Sequence, residues 1–188
     1  MKDIRFINNY LDESKKLISL NKSDKKKILE VVNILKQIKL RKKNKVIIFG
    51  NGGSAAISSH VSVDLTKNGG VKCINFNESD LITCFANDYG YSKWMEKSID
   101  FYGDKDDVLI LISVSGKSPN ILNAAKQARK KKFDKIITFS GHSANNPLRK
   151  LGDINIWVNS KIYNQVENTH QFILLMIIDL FIFNNEKK

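Results

Sequence analysis

Two short stretches carry residues whose types and spacing suit the binding of an anion. In Gly50-Asn51-Gly52-Gly53-Ser54-Ala55, three glycines let the backbone approach a ligand closely, while Asn51 and Ser54 add hydrogen-bonding groups. In Ser113-Val114-Ser115-Gly116-Lys117-Ser118-Pro119-Asn120, three hydroxyls precede a helix. Each stretch follows an apolar run and opens a helix whose first N–H groups favour negative charge. A phosphate or a polyol suits both. The second is not a P-loop, because the Gly-x-x-x-x-Gly-Lys-Ser spacing is absent. Either alone would serve as a plain strand-to-helix corner, with Ser113 and Ser115 as caps. Two of them at one sheet edge argue for a site.

Acids and imidazoles recur in two pairs at helical spacing. His60 and Asp64 stand at i and i+4, and Glu167 and His170 at i and i+3, so each pair shares a helix face. If those helices meet, within one chain or across a subunit boundary, two carboxylates and two imidazoles converge. Such a set could hold zinc through His60, Asp64, Glu167 and His170. It could instead divide proton transfer, with Asp64 or Glu167 as base and His170 as acid. Taken singly, each pair also fits an ordinary surface or helix-end interaction.

The elements that must position these groups follow from apolar periodicity. Two amphipathic helices open the chain, one around 4–11 and one around 28–40, with Lys on the outer face and Ser23 placed to cap the second. Strands are expected at 45–49, 71–76, 107–112, 135–139 and 154–158, with helices between them and a short helix from Ser79 ending in a loop at 85–90. A last helix spans about 164–183. Strands alternating with helices imply an α/β fold with a doubly wound, mainly parallel sheet, and ligands bind beyond the carboxyl ends of such strands. The expected organisation is a single domain, 1–188, with an N-terminal helical pair, 1–44, suited to a subunit interface, and an α/β core over 45–183.

Composition narrows the partners. The net charge is +12, and residues 1–45 hold 14 Lys and Arg against 5 Asp and Glu. Nucleic acid is nevertheless not expected: Arg occurs only at 5, 41, 129 and 149, and no aromatics interleave with the charges. Cys73 and Cys84 form neither a metal spacing nor a disulfide framework, and Met1-Lys2-Asp3-Ile4-Arg5 does not fit a secretory signal, so a cytoplasmic setting is expected. The longest apolar run, 172–178, falls short of the roughly 20 residues of a membrane span and reads as a core helix.

With both loops in view, the chain resembles the sugar isomerase (SIS) domain family over roughly 45–183, and within it the phosphoheptose isomerases, which interconvert sedoheptulose 7-phosphate and a heptose 7-phosphate. Gly50-Asn51-Gly52-Gly53-Ser54-Ala55 looks like the family's opening loop, Ala86-Asn87-Asp88-Tyr89-Gly90 like its Gly-Asn-Asp-aromatic-Gly segment, and Ser113-Val114-Ser115-Gly116-Lys117-Ser118 like its Ser-Thr-Ser-Gly-Asn-Ser phosphate loop. The resemblance implies that Ser113, Val114, Ser115 and Ser118 hold a phosphate, with Asn51, Gly52, Gly53, Ser54, Asn87 and Asp88 on the sugar. His60 matches a histidine that can bind zinc. Asp64 stands where the family has its catalytic glutamate, Glu167 where it has a glutamine, and Leu175 where it has a catalytic histidine. His170 matches a histidine outside the usual catalytic set, and the family's arginine after the first helix has no match in Thr66-Lys67-Asn68-Gly69. The resemblance therefore implies a homotetrameric phosphosugar aldose–ketose isomerase, working through an enediol with Asp64, Glu167 and His170, without a nucleotide cofactor. It would feed surface-polysaccharide precursor synthesis. A non-catalytic SIS protein that binds a sugar phosphate or a partner protein is the alternative.

Overall fold

The computed structural model describes residues 1–186. After α1 (Lys2–Ile18) and α2 (Lys22–Arg41), strands and helices alternate: β1 (Val46–Phe49), α3 (Gly53–Lys67), β2 (Cys73–Ile74), α4 (Ser79–Tyr89), α5 (Trp94–Tyr102), β3 (Val108–Ser113), α6 (Pro119–Lys130), β4 (Lys135–Ser140), β5 (Ile154–Trp157) and α7 (Tyr163–Glu186). A 3-10 turn, Pro147–Lys150, lies before β5. The strands are ordered β2-β1-β3-β4-β5, and every pairing is parallel. This is the expected doubly wound sheet. Its direction of winding reverses between β1 and β3, which opens a crevice beyond their carboxyl ends.

Both faces of the sheet are covered, so its central strands are apolar throughout. Val46, Ile48, Val108, Ile110 and Ile112 point to the side packed by α2, α3 and α7. Ile47, Phe49, Leu109 and Leu111 point to the side packed by α5 and α6. The period-2 alternation of β1 and β3 thus divides one sheet between two apolar layers.

Several local expectations are corrected. The second strand is only two residues long. Asn75 and Asn77 leave the ladder because their side chains bond α3, Asn75 Nδ2 to Ser62 Oγ at 2.7 Å and Asn77 Nδ2 to the Ala55 carbonyl at 3.0 Å. Asn21, rather than Ser23, caps α2, its side chain accepting from the Asp24 N–H at 3.0 Å. The expected loop at 85–90 is helical to Tyr89, and α4 stops at Gly90 with φ +84°. The sequence pattern did not give α5. By length and composition α7 is long and apolar enough to cross a membrane; here it packs on α1, α2, α3 and β4.

Candidate functional site

β1 and β3 lie side by side with Phe49 opposite Leu111, so the turns that follow them open at the same edge. There they enclose a cavity of about 80 Å³ lined by Asn51 and Ser54 from the first turn, by Ser113, Val114, Ser115 and Ser118 from the second, and by Tyr163 and Glu167 of α7. The geometric expectation that both hydroxyl-bearing turns face one pocket holds.

The second turn is shaped by Gly116. Its φ of +62° reverses the chain, and its N–H donates to the Ser113 carbonyl at 3.0 Å. Ser113 Oγ and Ser118 Oγ come within 3.2 Å of each other, and the Lys117 N–H donates to Ser115 Oγ at 3.2 Å. Neither Gly52, which precedes α3, nor Ser118, which precedes α6, makes a side-chain cap. At α6 Pro119 carries no N–H and the Ile121 N–H already donates to Asn120 Oδ1 at 3.0 Å, so fewer of its first N–H groups are left for an anion than at an uncapped helix start. The turns are tied together by the amides of Asn51 and Asn120, each donating to the other at 3.1 and 2.9 Å, and Tyr91 Oη donates to Asn51 Oδ1 at 3.2 Å. Sequence reasoning passed over Asn120, Tyr91 and Tyr163. Only Tyr163 had a usable signal, one helical turn before Glu167 on the same face.

α3 and α7 meet along a seam that starts at the cavity. Ser54 Oγ donates to Glu167 Oε1 at 3.1 Å, and an ideal Cβ at Gly53 would lie 2.4 Å from Glu167 Oε2. Further along, His60 Nδ1 is 3.3 Å from Gln171 Nε2, and His60 Nε2 is 3.3 Å from Asp64 Oδ2. Gly53, His60 and Asp64 recur at i, i+7 and i+11, one stripe of α3, and they face the Glu167–Gln171 stripe of α7.

Other expected site residues are placed elsewhere. Asn87 and Asp88 are exposed on α4, where Asn87 Nδ2 donates to Asp88 Oδ1 at 3.0 Å, because the helix continues through the segment read as a loop. They do not line the cavity, and neither do Gly52 and Gly53. His170 is fully buried, its Nε2 3.2 Å from the Ser140 carbonyl and its Nδ1 without a hydrogen-bond partner. On α7 the inward face is Val166, His170, Ile173, Leu174 and Ile177, so the i, i+3 spacing carries His170 into the core and away from Glu167. It does not reach the cavity as an acid.

The zinc set fails the same test of geometry. Glu167 is held by Ser54, His170 by the sheet, and only His60 and Asp64 stand together; among the described residues no group of three or more His, Cys, Asp or Glu could hold a metal ion. The donors of one chain do not fit zinc.

Burial of His170 has a consequence for stability. Desolvation, only partly offset by its bond to the Ser140 carbonyl, lowers its pKa to about 4 from 6.5. Between those values the unfolded chain takes up a proton that the folded chain refuses. Stability is thus full above pH 6.5 and falls as pH drops toward 4. The contribution is about 3 kcal/mol at 1.36 kcal/mol per pKa unit. Urea titrations at pH 7 and pH 4 are expected to show His170→Leu losing about that much less stability on acidification than the wild type. Equal losses would contradict the assignment.

Comparison with known proteins places these features. A family model described as SIS domain matches residues 9–141. A phosphoheptose isomerase of Buchnera aphidicola is 31% identical over 93% of this chain and 88% of its own, and one of Burkholderia pseudomallei is 28% identical over 90% and 89%. A solved phosphoheptose isomerase structure from Francisella tularensis superposes with a TM-score of 0.85 at 26% identity, covering 96% of this chain and 98% of that one.

Proposed function

The chain belongs to the SIS domain family, and on that premise we propose that it is a phosphosugar aldose–ketose isomerase of the phosphoheptose type. The observation that carries this reading is that Ser54, Ser113, Ser115 and Ser118, from two different turns, line one cavity where the sheet reverses its winding.

In this reading the hydroxyls of the β3 turn and the two helix N-termini hold the phosphate. The open-chain sugar lies along the seam between α3 and α7. Six carbon–carbon bonds of about 1.5 Å and a terminal phosphate span on the order of 10 Å. A rise of about 1.5 Å per residue puts His60 a comparable distance, roughly 10 Å, beyond Gly53. The carbonyl end of a phosphoheptose therefore meets the His60–Asp64 pair and not Glu167. Asp64 takes the proton from the carbon beside the carbonyl, His60 serves the two neighbouring oxygens as the enediol forms, and the proton returns to the adjacent carbon.

The seam also gives a reason for assembly. Side chains of His60 and Asp64 are 46% and 30% exposed, more than enediol chemistry tolerates without a cover. Helix α1 buries no residue and exposes Ile4, Phe6, Ile7 and Leu11. A homotetramer in which further copies bury this stripe and cap the seam fits both facts, and sedimentation reads the assembly directly.

The activity is tested by incubating the protein with sedoheptulose 7-phosphate and following aldose formation. Failure to turn over any ketose phosphate would defeat it. Leu175, packed on the apolar core where the resemblance places a catalytic histidine, favours the alternative of a binding protein. Binding of a phosphosugar without turnover would establish that alternative.

A further inference from the structure

The cavity that suits a phosphate also contains a carboxylate. Glu167 lines it beside the hydroxyls of Ser113, Ser115 and Ser118. Its position is fixed from two sides. Ser54 Oγ donates to Oε1, and the carboxylate fills the space that a side chain at residue 53 would need. Among the described residues that line the cavity there is no Lys or Arg. Other charged or titratable groups around Glu167 are few. On α7, Tyr163 lines the same cavity and His170 is turned into the core; on α3, His60 and Asp64 lie farther along the seam; in the β3 turn, Lys117 is exposed.

A carboxylate and a dianionic phosphate in one small cavity repel each other, and no neighbouring cation in the lining offsets that repulsion. A proton removes it most simply. The second pKa of a phosphomonoester is about 6, so near neutral pH the proton is acquired at small cost. Shared between a carboxylate oxygen and a phosphoryl oxygen, it turns repulsion into a short, charge-assisted hydrogen bond.

We propose that Glu167 makes this site take up one proton with its ligand, held between the carboxylate and a phosphoryl oxygen, so that the site selects the monoanion of a phosphomonoester. The proposal rests on the phosphosugar reading above. Only an O–H bond is made: the proton comes from solvent and returns to it on release. Linkage to one proton makes affinity fall about tenfold per pH unit above pH 7. Glu167→Gln keeps an oxygen for the Ser54 hydroxyl and adds an N–H donor, so it removes the proton requirement without opening the cavity.

The test uses the full chain and glucitol 6-phosphate, an open-chain phosphopolyol that cannot isomerise. Calorimetric titrations at pH 8 in two buffers of different ionisation enthalpy report the protons exchanged. The wild type is expected to take up about one proton per ligand, and Glu167→Gln and Glu167→Ala about none. Glu167→Gln is also expected to bind at least about tenfold more tightly at that pH. Wild-type binding without proton uptake, or equal affinity of the wild type and Glu167→Gln, would overturn the inference and leave the phosphosugar reading standing. No binding by any of the three proteins, together with no turnover of ketose phosphates, would remove both.

Discussion

Asp64→Asn is expected to lower kcat for ketose phosphate isomerisation by about 10³-fold, within the range general acid–base groups contribute, while KM changes by less than about threefold. The substitution is nearly isosteric and keeps one oxygen, which faces either His60 Nε2, now 3.3 Å from Asp64 Oδ2, or Asn68 Nδ2, now 3.3 Å from Asp64 Oδ1. What disappears is the capacity to accept a proton. Asp64 lies eleven residues, roughly 16 Å of helix rise, beyond Gly53, which precedes the cavity-lining Ser54, so ground-state binding of the phosphate is left alone. The same chemical change at Glu167 should behave in the opposite way, tightening the ligand and sparing kcat. Steady-state kinetics on the two variants therefore assign the two carboxylates separately. A kcat loss at Glu167→Gln matching that at Asp64→Asn would move the base into the cavity and refute the division of roles.

The difference between these two carboxylates was only partly legible in the sequence. The loops announced themselves, because glycine and serine placed between a β-branched run and a helix have few other uses, and their order along the chain fixed the β1–β3 crevice. Spacing alone could pair Glu167 with His170, since residues three apart share a face. It could not say that the face holding His170 is the one α7 presses on β4, because that depends on how Val166, Ile173 and Ile177 dock against the sheet. Nor could it join His60 to Gln171, a contact between helices more than a hundred residues apart. The loop expected at 85–90 failed for a local reason: Asn-Asp beside Gly is a turn signature, and here the glycine ends a helix that contains Asn87 and Asp88. Periodicity recovers faces, whereas docking decides which face meets which neighbour.

Gly116→Ala is expected to be among the most damaging single substitutions in the molecule, costing about 3 kcal/mol of stability and lowering Tm by roughly 6–12 °C. Two effects add. An alanine at φ +62° carries the left-handed penalty of about 1–2 kcal/mol. Its Cβ would also fall 2.1 Å from Asn146 Oδ1, and Asn146 cannot give way cheaply. That side chain is 1% exposed, donates to Ser140 Oγ at 3.0 Å and to the Ser143 carbonyl at 2.9 Å, and accepts from the Arg149 N–H at 3.2 Å. Displacing it leaves buried polar groups unpaired, the costliest kind of small change. Because the Gly116 N–H closes the turn onto Ser113, the surviving folded protein should also bind phosphosugars at least about tenfold more weakly, since one misplaced charge-assisted hydrogen bond is worth that much. Gly70→Ala provides the comparison. Its φ of +66° is nearly the same, but its added Cβ would meet only the flexible end of Lys39 at 3.3 Å. It should cost about 1–2 kcal/mol, the backbone penalty alone, with ligand affinity unchanged. Thermal melts and phosphopolyol titrations of the two variants separate backbone strain from collision with Asn146, and equal losses in both would show that the Asn146 contact does not shape the phosphate turn.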